Sequence, residues 1–464
     1  MSTDVLFDPE LIARYDQNGP RYTSYPTAAQ FNDAFGENDY REAARRTNDV
    51  PIPAPLSLYV HVPFCTSPCF YCGCTRVITR QPEKAARYLE YLMREISRTA
   101  PLFDADRRVE QLHFGGGTPT HLDDAQLGRL LGLLDEKFRL DNGPRREFSI
   151  EIDPRTVDPK RMDFLASLGF NRLSMGVQDF DPAVQKAVNR VQSEADILAL
   201  IERARDVGFN SVSLDLIYGL PLQTPESFAR TLDKVIEARP DRLAIYSYAH
   251  MPNVFVAQRQ IKSEDLPDPA VKLALLGEAV ERLTGAGYRY IGMDHFALPD
   301  DELSRALDDG SLQRNFQGYS THAHCDLIGL GMSSISNLGE SFSQNYKTLP
   351  EYYGALDDGQ LPVQRGLWLS QEDVLRAEII HSIMCRNSVD LDAVAVRHGL
   401  NAGQHFAVEL KRLEQLASDG LITLDGHRLE VTPRGRLLIR IVAMTFDSYL
   451  GNQRETVKRF SRVI

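Results

Sequence analysis

The chain has 464 residues, of which 43% are hydrophobic and 25% are charged, as in ordinary globular proteins. Its formal net charge of −12 argues against a nucleic-acid partner, which needs a basic surface. The amino-terminal residues lack the apolar core of a signal peptide, and no apolar run reaches the ~18–20 residues that span a bilayer. We therefore expect a cytoplasmic protein without a membrane partner, built from one large domain and smaller segments.

The first segment, residues 1–50, is polar and contains the sequence GPRYTSYPTA. Pro20 and Pro26 interrupt any helix in this stretch. We predict an amino-terminal extension that acts as a flap.

Residues 51–364 form the predicted main domain. From about Ser57 to Leu298, short apolar runs alternate with stretches of helical period, and this alternation predicts a parallel sheet with crossover helices. The spacing favours an α/β fold of the TIM type, an incomplete (β/α)6 barrel with its site at the carboxyl ends of the strands. A doubly wound sheet remains an alternative. The strand-like runs are SLYVHV, VEQLHF, EFSIEI, RLSMGV, SVSLDLIYGL, RLAIYSYA and YRYIGMDHFA.

Residues 365–464 form a third segment, which is mainly helical. Asp425 and Gly426 predict a hairpin turn within it, so that the helices and hairpin resemble a winged-helix module. No basic recognition helix is evident, and we expect a packing or lid domain rather than a DNA-binding one.

Four of the six cysteines lie between positions 65 and 74, directly after the first predicted strand. Cys65, Cys69 and Cys72 have the spacing C-x3-C-x2-C, which lets one short loop surround an iron–sulfur cluster. Three thiolates leave one iron without a protein ligand, as a reacting site requires. Structural zinc is the alternative, although zinc modules usually separate two cysteine pairs.

The remaining thiols are less specific. Cys74 is close enough to be a fourth ligand, whereas Cys325 and Cys385 are expected to be ordinary buried thiols.

Further candidate residues follow the later strands. Gly116 and Gly117 end the second strand and allow the backbone to approach a ligand, although the glycines taken alone favour a tight turn. Glu151, Gln178 and Asp215 lie at or near the ends of the next three strands. Polar groups at successive strand ends predict one active-site rim, while helix capping is the alternative role for each acid.

The cysteine motif resembles that of the radical S-adenosylmethionine (SAM) superfamily, and the chain is most similar to its oxygen-independent coproporphyrinogen III oxidase family. The resemblance extends almost from end to end. It rests on GPRYTSYPTA, YVHVPFC, CFYCGC, HFGGGTPT, NRLSMGVQDF, DLIYGLP, GMDHFA, NFQGY and the final FSRVI.

This resemblance implies that two propionates of coproporphyrinogen III are oxidatively decarboxylated to vinyl groups, which gives protoporphyrinogen IX. A [4Fe-4S] cluster on Cys65, Cys69 and Cys72 would cleave SAM to a 5′-deoxyadenosyl radical. The electron donor and acceptor are unidentified, and no heptad repeat indicates an oligomer, so we expect a monomer.

The resemblance also assigns roles to individual residues, and it implies two SAM molecules in each chain. Cys74 would have a site role without binding the cluster, and it is grouped with Gln317 and Ile335 as catalytic. The SAM-binding set is Tyr59, Gly116, Glu151, Gly117 and Thr118 for one molecule, Gln178, Arg190 and Asp215 for the second, and backbone near Tyr71, Ala249 and Ile335.

Three arginines, Arg21, Arg76 and Arg80, are our own candidates for pairing with the substrate propionates, because the acidic chain needs local cations there. Two other functions stay open at this point. One is a haem-binding chaperone of the same family, which would lack Cys74 and the RYTSYPT segment. The other is a zinc-stabilised barrel with a protein-binding tail.

Overall fold

A computed structural model describes residues 4–322, 324–450 and 462. Its centre is one twisted sheet with seven parallel strands in the described chain. They are β1 Leu56–Val62, β2 Arg108–Gly116, β3 Glu147–Ile152, β4 Arg172–Gln178, β5 Ser211–Tyr218, β6 Arg242–Ser247 and β7 Asp326–Leu330. Their order across the sheet is β6-β5-β4-β3-β2-β1-β7. This arrangement confirms the α/β partial barrel.

Helices connect these strands and cover the outer face of the sheet. Each begins at a residue that fits a helix start, as at Thr224, whose hydroxyl accepts from the backbone N–H of Ser227. Leu58 and Val60 on β1 are fully buried between the sheet and this layer. The helices are Pro82–Thr99, Asp124–Lys137, Pro159–Ser167, Pro182–Ala187, Glu194–Asp206, Pro225–Ala238 and Pro269–Gly285.

The parallel register places the polar strand residues at similar heights. Tyr59 on β1 pairs with His113 on β2, and Glu151 on β3 pairs with Ser174 on β4. Because parallel strands present their carboxyl ends at one edge, these side chains share a rim with Asp215 of β5.

Two elements differ from the predicted strand set. The run YRYIGMDHFA is not a barrel strand: it folds as a hairpin of Arg289–Gly292 and His295–Ala297, whose second strand pairs antiparallel with β6. The chain reverses at Met293, which adopts a positive φ of 52°. The seventh parallel strand is instead β7, which has five residues and is too short to stand out by periodicity.

Antiparallel strands extend the sheet beyond β7. They begin after Gly331 and carry Ile335 towards the carboxyl edge of the barrel. These strands are Ile335–Leu338, Ser341–Asn345 and Val363–Trp368, and the remaining short strands are Phe64–Cys65, Val77–Ile78, Arg139–Leu140, Gln313–Asn315 and Gly318–Ser320.

The carboxyl-terminal segment combines helices with a three-stranded antiparallel sheet. The predicted hairpin is confirmed, because Asp425 pairs with Arg428 across a turn in which Gly426 has a φ of 58°. The segment boundaries near residues 50 and 364 stay a prediction. The helices of the carboxyl-terminal segment are Gln371–Arg386, Leu391–Arg397, Ala402–His405, Ala407–Ser418 and Ile439–Met444. Its strands are Ser388–Asp390, Ile422–Asp425 and Arg428–Val431.

The amino-terminal extension, with helices Pro9–Tyr15 and Glu37–Asn48, packs against the carboxyl-terminal segment. The Tyr22 hydroxyl donates to Asp447 over 2.9 Å, and the Tyr25 and Ser448 hydroxyls lie 2.9 Å apart.

The final FSRVI motif falls mostly outside the described residues, which include only its Arg462. In the described ranges, every helix is too short or too polar to cross a lipid bilayer.

Candidate active site

The cysteine loop follows β1 and is closed at its base by two short parallel strands. The backbone N–H of Val77 donates to the carbonyl of Pro63 over 2.7 Å, and that of Thr79 donates to Cys65 over 2.9 Å. Cys65, Cys69 and Cys72 are free thiols that line one cavity at the carboxyl edge of the sheet. The loop is therefore anchored at both ends, and its three sulfur atoms face the same space.

Each sulfur atom of this triad accepts a hydrogen bond. Thr118 Oγ1 lies 3.6 Å from Cys65 Sγ, and the backbone N–H of Cys74 donates to Cys72 Sγ over 3.4 Å. Hydrogen bonds to sulfur tune the reduction potential of iron–sulfur clusters. Three converging thiols with polar support fit a [4Fe-4S] cluster, and the three cysteines are the residues that would hold it.

Two arginines lie against the third sulfur. Arg155 Nη2 and Arg190 Nη1 lie 3.4 and 3.3 Å from Cys69 Sγ. Asp153 accepts from both guanidinium groups, over 2.6 and 3.3 Å. Burial opposes ionisation of Asp153, yet these two arginines hold its pKa below the ordinary value.

Asp153 and Arg155 are not among the site residues predicted from the sequence. Their position directly after β3, two and four residues beyond Glu151, was the available signal.

The glycine turn packs against the cysteine loop. A β-carbon on Gly117 would lie 2.7 Å from the carbonyl oxygen of Phe64, and Gly116 adopts a φ of 113°. The N–H of Gly117 donates to the carbonyl of Val62 over 2.8 Å. The glycines are required by packing within the protein, and Gly116, Gly117 and Thr118 also line the cysteine cavity.

Glu151 is held by two donors at the rim. His113 Nε2 lies 3.1 Å from one carboxylate oxygen, and the N–H of Gly116 donates to the other over 3.1 Å. Burial opposes ionisation, but these interactions lower the pKa of Glu151 below its ordinary value. The side chain is therefore a fixed carboxylate beside the cysteines.

Gln178 and Asp215 also line the cysteine cavity. Gln178 has a φ of 70°, and its buried Oε1 has no hydrogen-bond partner among the described residues. Burial, with the nearby charge of Glu151, raises the pKa of Asp215 to about 7. An unpartnered amide beside two carboxylates fits a ligand with a positive charge and polar groups, as SAM has.

A second cavity adjoins the first, and Cys74, Gly116 and Glu151 line both. Its other predicted residues are Tyr59, Gln317 and Ile335, and its volume is about 300 Å³. The Tyr59 hydroxyl lies 3.1 Å from His61 Nδ1, and its ring stacks on His113 with centroids 5.7 Å apart. The buried Nε2 of Gln317 has no partner in the described part of the chain.

Among the residues predicted to hold the cluster, bind SAM or act in catalysis, only Ala249 lines neither of these cavities. It borders a third space of about 380 Å³, together with Arg21 and Lys272. Gln258 nevertheless connects it to the site, because its Nε2 donates to the carbonyls of Tyr71 and Ala249 over 2.9 and 3.2 Å.

The three candidate propionate arginines occupy different places. Arg76 lines the cysteine cavity and donates to the carbonyls of Cys72 and Cys69, over 3.0 and 3.1 Å. Arg80 is exposed, and its Nε lies 3.5 Å from the carbonyl oxygen of Thr66 in the loop. Arg21 pairs with Asp294 and lies over the ring of Tyr246.

The structure therefore collects most of the predicted side chains around one space. Pairing with propionates stays a prediction for the arginines, and the individual roles stay predictions for the whole set. The predicted residues that line the cysteine cavity are Cys65, Cys69, Tyr71, Cys72, Cys74, Arg76, Gly116, Gly117, Thr118, Glu151, Gln178, Arg190 and Asp215.

Comparison with known proteins identifies the family of the chain. Residues 59–235 match the model of the radical SAM superfamily, and residues 369–438 match the HemN C-terminal domain. The oxygen-independent coproporphyrinogen III oxidase of Pseudomonas aeruginosa is 48% identical over 464 residues, which cover 100% of both chains. The chain belongs to the oxygen-independent coproporphyrinogen III oxidase family.

Other members of the oxidase family are similarly close. The Escherichia coli protein of the same name is 49% identical over 99% of both chains. A solved structure of the coproporphyrinogen III oxidase (HemN) from Escherichia coli, a radical SAM enzyme, superposes with a TM-score of 0.91. It is 48% identical and covers 96% of this chain and 100% of that one.

Family membership bears on the alternatives left open by the sequence. The radical SAM superfamily implies a [4Fe-4S] cluster and SAM, which favours a cluster over structural zinc, and the three cysteines stay the residues predicted to hold it. The haem-chaperone alternative finds no support in these relatives, whose names are those of oxidases.

Proposed function

We propose that the protein converts coproporphyrinogen III to protoporphyrinogen IX by oxidative decarboxylation of two propionates to vinyl groups, without oxygen. The observation that carries this proposal is the pair of adjoining cavities, which meet at Cys74, Gly116 and Glu151 beside the cysteine triad. The names of relatives that match over the full chain support the substrate.

The cysteine triad would hold the cluster in this proposal. When bound, the [4Fe-4S] cluster and SAM supply the one-electron reduction and the hydrogen-atom abstraction from a propionate β-carbon. With Cys65, Cys69 and Cys72 as its protein ligands, the cluster would keep one iron available for SAM. Arg155 and Arg190 offset the negative charge at Cys69, since both guanidinium groups donate to its sulfur.

The rim would bind two SAM molecules in each chain. Glu151, held ionised by His113, is placed to accept hydrogen bonds from the cationic amino group of the first SAM molecule. Tyr59 and the Gly116–Thr118 backbone would lie beside this molecule. Gln178 and Asp215 would bind the second molecule with Arg190. Arg190 already contacts Cys69, Asp153 and the carbonyl of Gly176, and we therefore assign it an orienting part in this site.

The second cavity would receive the reacting propionate. Gln317 is placed to donate from its unpartnered Nε2, while Ile335 and Cys74 form the adjoining wall. Arg21 is our candidate partner for a distant propionate, because it borders the third cavity with Lys272. The amino-terminal extension would limit solvent entry here, since Phe31 stacks on Phe342 next to Phe316.

The test is an anaerobic incubation of the reduced, cluster-loaded protein with SAM and coproporphyrinogen III. We expect 5′-deoxyadenosine and vinyl products together, and neither with Cys65→Ser. Deoxyadenosine without vinyl products would preserve the radical SAM assignment and overturn the substrate. Tight haem binding without either product would favour the chaperone function.

A further inference from the structure

A second group of metal-ligand side chains lies at the opposite end of the barrel from the cysteine triad. Glu110, His322, His324 and Cys325 each offer a ligand atom, and these atoms all lie within 4.8 Å of one another. Glu110 is the third residue of β2, and Cys325 directly precedes β7. The group therefore lies at the amino-terminal edge of the sheet, away from the cavities described above.

We propose that these four residues form a structural binding site for a divalent metal ion of the zinc type. Two imidazoles, one thiolate and one carboxylate match the ligand set of tetrahedral zinc sites. Four protein ligands leave no open position, and this is typical of a structural site rather than a catalytic one. The ion would join β2 to the segment that leads into β7.

His322 supplies an independent indication of a ligand. Its side chain is 10% exposed, and its buried Nδ1 has no hydrogen-bond partner among the described residues. That nitrogen lies 3.9 Å from Glu110 Oε2, which also accepts from His324 Nε2 over 2.9 Å. A buried polar atom without a partner is costly, and an ion between these groups would satisfy it.

The other nitrogen of the same ring faces a carboxylate. His322 Nε2 lies 3.8 Å from Glu147 Oε2, and Gln111 Nε2 donates to the second oxygen of Glu147 over 2.9 Å. Gln111 also donates to Ser320, whose hydroxyl accepts from the backbone N–H of His322. Histidine ligands of metals usually face such an outer carboxylate, which fixes the orientation of the ring.

Small side-chain movements would complete the coordination. Tetrahedral bonds of ~2.0–2.3 Å place ligand atoms ~3.3–3.8 Å apart, so the donors need to approach by about 1 Å. His324 can supply much of this movement, because its side chain is 57% exposed. The backbone N–H of Cys325 donates to the carbonyl of His322 over 3.3 Å, and this turn already brings both ligands to one side.

The experiment measures zinc and iron together in the cluster-loaded full-length protein. After anaerobic dialysis against limiting zinc, we expect one zinc ion per chain with unchanged iron. X-ray absorption at the zinc edge should show one sulfur and three nitrogen or oxygen neighbours. Equilibrium dialysis should show a dissociation constant raised at least tenfold in Cys325→Ser and, by the loss of outer support, ~10–100-fold in Glu147→Gln.

Two further variants separate metal loss from misfolding. His324→Gln alters an exposed side chain and should lose zinc while it keeps iron and vinyl formation. His427→Gln removes the histidine of another histidine–carboxylate pair, 2.9 Å from Asp392, and should keep zinc. Zinc only at the blank level, zinc retained in both Cys325→Ser and His324→Gln, or zinc gained only as iron is lost would each overturn the site.

Discussion

Arg155 Nη2 lies 3.4 Å from the Sγ of Cys69, although 86 residues separate the two in the chain. Replacing this donor should make cluster reduction harder, because a positive charge at the sulfur favours the reduced state. A difference of ~1.4 kcal/mol between the redox states is about 59 mV for one electron, and we expect Arg155→Met to lower the potential by about this amount. Potentiometry monitored by electron paramagnetic resonance measures the shift.

The matched control for this prediction is Arg80→Met. Arg80 contacts the same loop through the carbonyl of Thr66 but no sulfur, and its loss should leave the potential unchanged. Equal potentials in Arg155→Met and the parent protein, at full iron content, would contradict the assigned role of Arg155.

Asp215 should make the binding of one SAM molecule depend on pH. Burial and the charge of Glu151 raise its pKa to about 7, so the side chain is mostly neutral at pH 6 and mostly ionised at pH 8. Because SAM carries positive charge, the affinity of one site should rise roughly tenfold over this range. Equilibrium binding measurements should show that Asp215→Asn removes the pH dependence of SAM affinity. A pH-independent affinity in the parent protein would refute the prediction.

Gly117→Ala should disturb the cysteine loop. The new β-carbon would meet the backbone of Pro63 and Phe64 at 2.7 Å, and such overpacking costs ~1–3 kcal/mol. We expect a lower iron content and a lower melting temperature. Gly132→Ala is the control, since nothing lies within 4 Å of a β-carbon there and alanine favours a helix.

Cys74→Ser should keep the cluster, whereas Cys65→Ser should lose it. The backbone N–H of Cys74 donates to Cys72 Sγ, and serine retains this donor together with a side chain that can form a hydrogen bond. A side chain that moves a proton contributes ~10²–10⁴-fold to a rate, and vinyl formation should fall on that scale. Iron analysis and product assay decide the matter: iron loss equal to that of Cys65→Ser would make Cys74 a ligand.

Ionisation of Glu95 should lower the free energy of unfolding as pH rises. Burial raises its pKa to about 7 from the ordinary 4.5, against hydrogen bonds from Tyr352, Asn345 and the Gly331 backbone. The folded state therefore binds the Glu95 proton more tightly than the unfolded state does. The resulting contribution to the free energy of unfolding is complete below pH ~4.5 and is lost as pH rises through about 7. It amounts to roughly 3 kcal/mol in all.

Glu95→Gln should remove this dependence, because glutamine stays neutral. Anaerobic calorimetry at pH 5.5 and pH 8 measures the melting temperatures of both proteins. The melting temperature of the variant relative to that of the parent protein should be higher at pH 8 than at pH 5.5. The other ionisable groups are common to both proteins and cancel in the comparison. An equal difference at both pH values would mean that Glu95 stays ionised throughout.

The sequence was sufficient for the features that depend on local spacing. The Cys65–Cys69–Cys72 loop, the first six parallel strands and the Asp425–Gly426 turn each lie within a short stretch whose pattern is visible directly. The strand-end rule placed Glu151 and Asp215 on one rim, because parallel strands share an edge. The family resemblance, rather than spacing, supplied the substrate.

Tertiary structure alone decided the contacts between distant segments. β7 is too short to show a period, and the hairpin at Arg289–Ala297 has the composition of a strand. Arg155 meets Cys69 because β3 and β1, which precede them in the chain, both lie next to β2 in the sheet. His322 meets Glu110 because β7 and β2 both lie next to β1. The periodicity of a sequence indicates which face of a helix or strand is buried. It does not indicate which side chains of other elements pack against that face.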